Sequence, residues 1–258
     1  MADIASARQK VNDIETSNDA PVTEDLFLKI SANVNDYLDK VWQKVEFTSS
    51  GSWTCPSGVT MVGLFGCGGG GGGSGYVGAM GGSGAPLGVK LVTVVPATVY
   101  SITIGGGGSG GTDAGHGNNG SDTTFGALAT FKGGRGGISY QADDVFNYIW
   151  MTQENLLKRA PIGTLGGFYF NTLAGHTYGQ DSAEYQGGVT YGGSQGGGGG
   201  GAGPFGNGAD GYPYSWWLGQ AAAANTGAGG SGAGISASGQ AGGSGGSGKL
   251  VLFYWGNT

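Results

Sequence analysis

Apolar residues recur at helical spacing only near the start of the chain. Ile4, Ala7, Val11 and Ile14 step by three, four and three, which places them on one stripe of a helix. Ser17-Asn18-Asp19-Ala20-Pro21 breaks the pattern, and Val22-Thr23-Glu24-Asp25 restarts it, with Thr23 as N-cap, acids in the first turn and Val22 stapled onto Phe27. The spacing predicts a second helix from Glu24 to Lys44. Its stripe, Phe27, Ile30, Val34, Tyr37 and Val41, is widened by Leu38, Trp42 and Val45. Two short helices cannot bury that surface by themselves. They either pack as a hairpin on the rest of the chain or associate with other chains, in a homotrimer or on a larger assembly.

From Phe47 the period shortens to two. Phe47 to Val62 places strand-like apolar residues around the turn Pro56-Ser57-Gly58 and runs into Gly68–Gly73. Tyr100, Ile102 and Ile104 alternate with polar residues before Gly105–Gly108. Phe125, Ala127, Ala129 and Phe131 alternate before Gly133-Gly134-Arg135-Gly136-Gly137. Each pattern predicts a half-buried strand that feeds a glycine tract. Leu250 to Trp255 is a continuous apolar run, as in a strand covered on both faces.

Composition sharpens this division. All 62 glycines lie at or after Gly51, and half of the charged side chains lie in residues 1–47. The chain therefore reads as a helical, coiled-coil-like attachment segment over residues 1–46 and a mainly β, glycine-rich domain over 47–258. Gly/Ser tracts ordinarily form flexible linkers, but 11% aromatics and strong strands at both ends argue for order. No Gly-x-y period is kept, which excludes collagen. Extended threefold glycine helices, which approach closely because they lack Cβ atoms, would instead give a β-sandwich-like domain with packed polyglycine tracts. Glycine loses more backbone freedom than any other residue, so only dense hydrogen bonding and burial can offset the ordering.

Charge and motifs remove most other classes. A net charge of −6 without a Lys/Arg cluster argues against nucleic acid. No signal-like start or membrane-length apolar run is present, so the chain reads as made in a cytoplasm and not membrane-embedded. Cys55 and Cys67 lack zinc-site spacing; they pair in a disulfide or remain two small buried thiols, and a cytoplasmic origin favours the latter. Gly-x-Gly-x-x-Gly matches carry no dinucleotide site, because no helix is predicted after Gly105 or Gly196, and Gly248-Lys249 precedes Leu250 where a phosphate loop needs Ser or Thr. His116 and His176 read as loop residues. Asp143, Asp144, Asp181, Glu184 and Asp210 are joined by no glycosidase motif, and no calcium loop occurs. The reading is a non-enzyme with no cofactor, no catalytic residue and no metal.

Between the tracts lie aromatic segments, at Tyr140–Arg159, at Phe168–Tyr191 and at Phe205–Leu218. Phe146, Ile149 and Trp150 in the first could share one face of a short helix. Pro204 to Trp217 mixes turn formers with aromatics, a composition suited to a loop that presents rigid, low-entropy contacts. Phe205, Tyr212, Tyr214, Trp216, Trp217, Tyr169, Tyr178 and Tyr185 are the candidate contact residues, since Tyr and Trp dominate binding hot spots and stack on sugars. The bland alternative is that Trp216 and Trp217 cap the glycine core.

The order Phe47, Gly51-Ser52-Trp53-Thr54-Cys55-Pro56, Gly58-Val59, Gly68–Gly73, Tyr100–Gly108 and Gly248 with the final strand resembles the glycine-rich domain of bacteriophage tail-fibre and tail-tip proteins. The whole plan is similar to the tail-fibre adhesins of T-even-like phages, in which polyglycine helices form a sandwich and the intervening loops bind host outer-membrane proteins. That resemblance implies a virion protein of the tail fibre or tail tip. Its partners would be a bacterial outer-membrane protein or surface glycan and other tail or tail-fibre proteins. A structural shaft or baseplate component without receptor contact is the alternative.

Overall fold

In a computed structural model of the chain, the structure describes residues 40–75, 79–113, 115–138, 176–178, 189–191, 198–211, 218–234 and 240–257. It divides into two compact units, Met1–Gln43 with Phe253–Thr258, and Lys44–Leu252. In the described part of the smaller unit, the Trp42 and Trp255 rings meet edge to face with centroids 5.5 Å apart.

The described residues contain strands and no helix. β1 (Lys40–Phe47), β10 (Lys249–Asn257), β3 (Met61–Cys67) and β4 (Gly88–Thr93) form one sheet in that order. β2 (Gly51–Thr54), β5 (Val99–Thr103), β6 (Thr123–Phe125) and β7 (Ala129–Phe131) form a second. β8 (His176–Tyr178) and β9 (Val189–Tyr191) make a separate antiparallel pair. Alternation sends Val62 and Leu64 of β3 inward with Leu250 and Leu252 of β10, while the second sheet buries Trp53, Ile102, Phe125, Ala129 and Phe131. The Phe131 ring lies against Gly88, where a Cβ would collide with it.

The larger part of this unit is an array of extended glycine tracts. The tract 68–75 lies at its centre and is buried throughout. Its amides donate with a period of three: Gly69, Gly72 and Gly75 to the carbonyls of Ser121, Asn118 and Gly115; Gly70 and Gly73 to Gly246 and Gly243; Gly71 and Ser74 to Ser83 and Met80. The partners' numbers fall as the donors' rise, so these three neighbours run antiparallel to the centre. Its carbonyls accept with the same period from Gly134 and Gly137, from Gly108 and Gly111, and from Gly230 and Ala233, so three more neighbours run parallel. A threefold helix presents three donor and three acceptor directions, and here all six are used. The neighbours also bond to one another around the centre, through Ser83→Arg135, Gly117→Gly137, Asn118→Ser109, Gly242→Gly111, Gly243→Ser231 and Gly82→Gly230. The result is a closed hexagon about one central polyglycine helix. Tracts 198–203 and 219–223 add to its outside through Gly201→Gly82 and Ala222→Ser244.

Glycine is required in this array by closeness. Of the described tract glycines only Gly227 has a positive φ, so an L residue could adopt the backbone elsewhere. A Cβ at Gly69, Gly70, Gly71, Gly72 or Gly73 would instead fall on the carbonyl oxygen of Gly106, Ala228, Arg135, Ser109 or Ser231. The hydrogen in that place points at the oxygen, the arrangement of a Cα–H···O contact. At the rim the constraint lapses every third residue: Gly106 and Ser109 are exposed between buried Gly105, Gly108 and Gly111, and exposed Lys132 and Arg135 alternate with buried Gly134 and Gly137.

Three expectations need correction. The helix expected from Glu24 to Lys44 does not reach its end, because Lys40–Lys44 belongs to β1; Val41 is a strand residue, 42% exposed, whose β-branched side chain suits the sheet edge it occupies. The rest of that segment, with Ile4, Val11, Ile14, Phe27, Ile30, Val34 and Tyr37, lies outside the described residues. The alternation from Phe125 to Phe131 is not one strand but the hairpin β6–β7, turned by Gly126 at φ 49° and closed by Leu128 N donating to Phe125 O. Along β10 the two-sided cover holds for Leu250, Val251 and Leu252, and Trp255 is exposed. The helix considered around Phe146–Trp150 lies outside the described residues.

Candidate binding end

The directions of the tracts sort every connection in the array to one end or the other. Strands β3, β4, β5, β6, β7 and β10 join the array where the central tract begins, at Gly68. The turns at 204–205 and 224–226 lie at that end too, since the tracts they join run parallel or antiparallel to the centre in the matching sense. All other connections leave from the opposite end, where the central tract finishes at Gly75. They are 76–78, 112–114, 139–197, 212–217 and 235–239, which depart from Gly75, Gly111, Ile138, Gly211 and Gly234. Nearly all the aromatic segments singled out in the sequence thus spring from one end of the array.

Ser74 secures the root of the longest connection. Its hydroxyl accepts from the Met80 amide at 2.8 Å and lies 3.0 Å from the Ile138 carbonyl and 3.2 Å from that of Met80. It is fully buried, so it joins the end of the central tract to the start of 79–85 and the end of 132–138. Ser83 and Ser231 work similarly, accepting from the amides of Arg135 at 2.6 Å and Gln220 at 2.7 Å. Replacing Ser74 with alanine leaves the part-buried Met80 amide short of its acceptor, and we expect a stability loss of about 1–3 kcal/mol in urea unfolding. A loss under about 0.3 kcal/mol would remove this hydroxyl from the account of how the end is held.

Among the contact residues expected from sequence, Phe205 is at the other end. It sits in the turn between 198–203 and 206–211, half-buried, with the Lys249 ammonium 5.4 Å from its ring centroid. The tract after it, 206–211, runs back along the array, Ala209 donating to Gly229, and ends at Gly211 away from Phe205. Tyr178 belongs to β8, and Val189 lies opposite it. Tyr169, Tyr185, Tyr212, Tyr214, Trp216 and Trp217 lie outside the described residues. His116, read from sequence as a loop residue, is exposed at the end where the central tract finishes; sequence reading missed Thr112 and Asp113, exposed there as well, with Asp113 held at φ 50°. The only signal for them was a polar run between two tracts.

Two ion-paired carboxylates lie at the strand end. There Glu46 bonds Lys249 at 2.8 Å as well as Lys44, and the Lys249 hydrogen bond, then that of Lys44, lowers its carboxyl to about 2. At Asp122 burial raises the carboxyl, but the Lys132 ammonium at 2.7 Å and the Gly133 amide outweigh it and hold it below its usual value. Cys55 and Cys67 are buried free thiols; burial raises both, Cys67 to about 12. Among the described residues no group of three His, Cys, Asp or Glu side chains could hold a metal ion, and no helix is long and apolar enough to cross a membrane.

With this geometry in view, a family described as a glycine-rich domain matches residues 46–255. The chain belongs to that glycine-rich domain family. The match begins at the end of β1 and ends within β10, so it takes in the second sheet, β3 and β4 of the first, most of β10 and the described polyglycine array. No curated protein matches the chain.

Proposed function

We propose that this glycine-rich domain is the receptor-binding tip of a bacteriophage tail fibre, a non-enzymatic adhesin. Its connecting segments would meet an outer-membrane protein or surface glycan of the host, and its other end would meet tail-fibre proteins. One observation carries the reading: five connections leave a cross-bonded array from one end, while β3, β4, β5, β6, β7 and β10 join it at the other. Such an array is a stiff base for loops, and recognition residues commonly sit on loops held by a rigid scaffold. The aromatic composition of 212–217 adds support, because Tyr212, Tyr214, Trp216 and Trp217 supply large contact area at low entropic cost.

The test is binding of the fluorescently labelled intact protein to a panel of bacterial strains, beside a variant with Tyr212, Tyr214, Trp216 and Trp217 replaced by alanine. We expect strain-restricted binding that falls at least about tenfold in the variant, with unchanged thermal unfolding. Absence of binding across a broad panel would favour a structural shaft or baseplate role instead.

A further inference from the structure

The outer face of the first sheet and its β4 edge are less protected than the other edge. Gly88 faces Phe131, so alternate β4 residues Lys90 and Val92 share its side and Val89, Leu91 and Thr93 face outward. In the β3–β4 register Phe65 lies opposite Val89, Gly63 opposite Leu91 and Met61 opposite Thr93. Met61, Phe65, Val89 and Leu91 are 51%, 38%, 61% and 70% exposed, and Leu87 continues the patch at 55%. The area is on the order of 500 Å², the upper range of what a monomer leaves open and most of one side of a standard interface. β1, the opposite edge, carries Lys40, Lys44 and Glu46, whereas β4 carries Lys90 alone. Edges that face water are ordinarily blunted by charge, and edges that pair are not.

We propose that β4 is the interface with a second copy of this chain, joined edge to edge about a two-fold axis into an eight-stranded sheet. Self-pairing of an antiparallel strand keeps outward residues opposite outward ones only if the axis passes through a residue. An axis at Lys90 would set two ammonium groups face to face, which is unfavourable. An axis at Leu91 sets Leu91 against its own copy, Val89 against Thr93 and Lys90 against Val92, and makes one apolar surface of the two outer patches.

The experiment is sedimentation of the full chain at micromolar concentration, with Leu91→Asp, with Val99→Asp as an exposed control on β5, and with Leu91→Cys under mild oxidation. We expect Leu91→Asp to halve the assembly mass without lowering thermal stability, and Val99→Asp to leave the mass unchanged. Leu91→Cys should yield a covalent dimer, because the residue meets itself across the axis; the native cysteines are buried. An assembly mass that Leu91→Asp does not change overturns the proposal and leaves the face to a different protein. Loss of cell binding with the mass intact would bear on the adhesin reading alone.

Discussion

Gly71→Ala is expected to destabilise the protein by at least about 3 kcal/mol, while Gly106→Ala changes stability by no more than about 0.5 kcal/mol. Neither site has a positive φ, so the backbone conformation of alanine is not at issue. At Gly71 the new methyl would land on the carbonyl of Arg135, within bonding distance of backbone atoms that cannot turn aside as a flexible side chain would. Nor can the 132–138 tract yield. Arg135 O accepts from Ser83 N, Gly134 and Gly137 donate to the central tract, and Gly117 and Gly120 donate to Gly137 and Gly134. Moving it by an ångström would loosen several buried hydrogen bonds together. At Gly106 nothing lies within 4 Å of the added atom, and the smaller entropy of the unfolded alanine chain offsets much of any loss. Urea unfolding of both variants checks the pair. Equal and small effects would mean that the central tract is packed more loosely than the hexagon requires.

How much of this was legible in the sequence differs by element. The glycine tracts could be read as close-packed threefold helices because Gly68–Gly73 is flanked by strong strands. The hexagon could not, because which tract meets which depends on pairing between residues as far apart as Gly70 and Gly246. The end from which the loops leave follows from that pairing and was equally hidden. The start of β1 misled because its apolar residues Val41, Trp42 and Val45 fit a wide helical stripe as well as a strand, and only strand β10 beside it decides the matter. At Phe125–Phe131 the alternation was real, but Gly126 could open a turn without strain and the chain reversed there. Phe205 was grouped with Tyr212 to Trp217 by nearness in sequence. The described tract 206–211 carries the chain about 18 Å from Phe205 toward the other end of the array. The apolar face of Val89 and Leu91 had a signal in its alternation, yet exposure on an edge becomes visible only once the strand order is known.

Phe125→Ala is expected to cost about 3–5 kcal/mol, and its effect should spread unevenly through the array. The ring is fully buried; it stacks on Tyr100 at 5.1 Å between centroids and lies 6.0 Å from Trp53. Truncation forfeits the transfer energy, leaves a cavity between two large rings and removes two aromatic contacts worth about 0.5–1.5 kcal/mol each. The second sheet is also where three tracts take root: β5 leads into 105–111, 115–121 leads into β6, and β7 leads into 132–138. Hydrogen exchange of Gly108, Gly111, Gly117, Gly120, Gly134 and Gly137 should therefore accelerate by sub-global opening before that of Gly229, Gly230 and Gly232, whose tract starts from the turn at 224–226. Uniform acceleration across all these amides would mean that the array and both sheets open as one cooperative unit. A stability loss below about 1 kcal/mol would mean that the polyglycine lattice stands without its aromatic clamp.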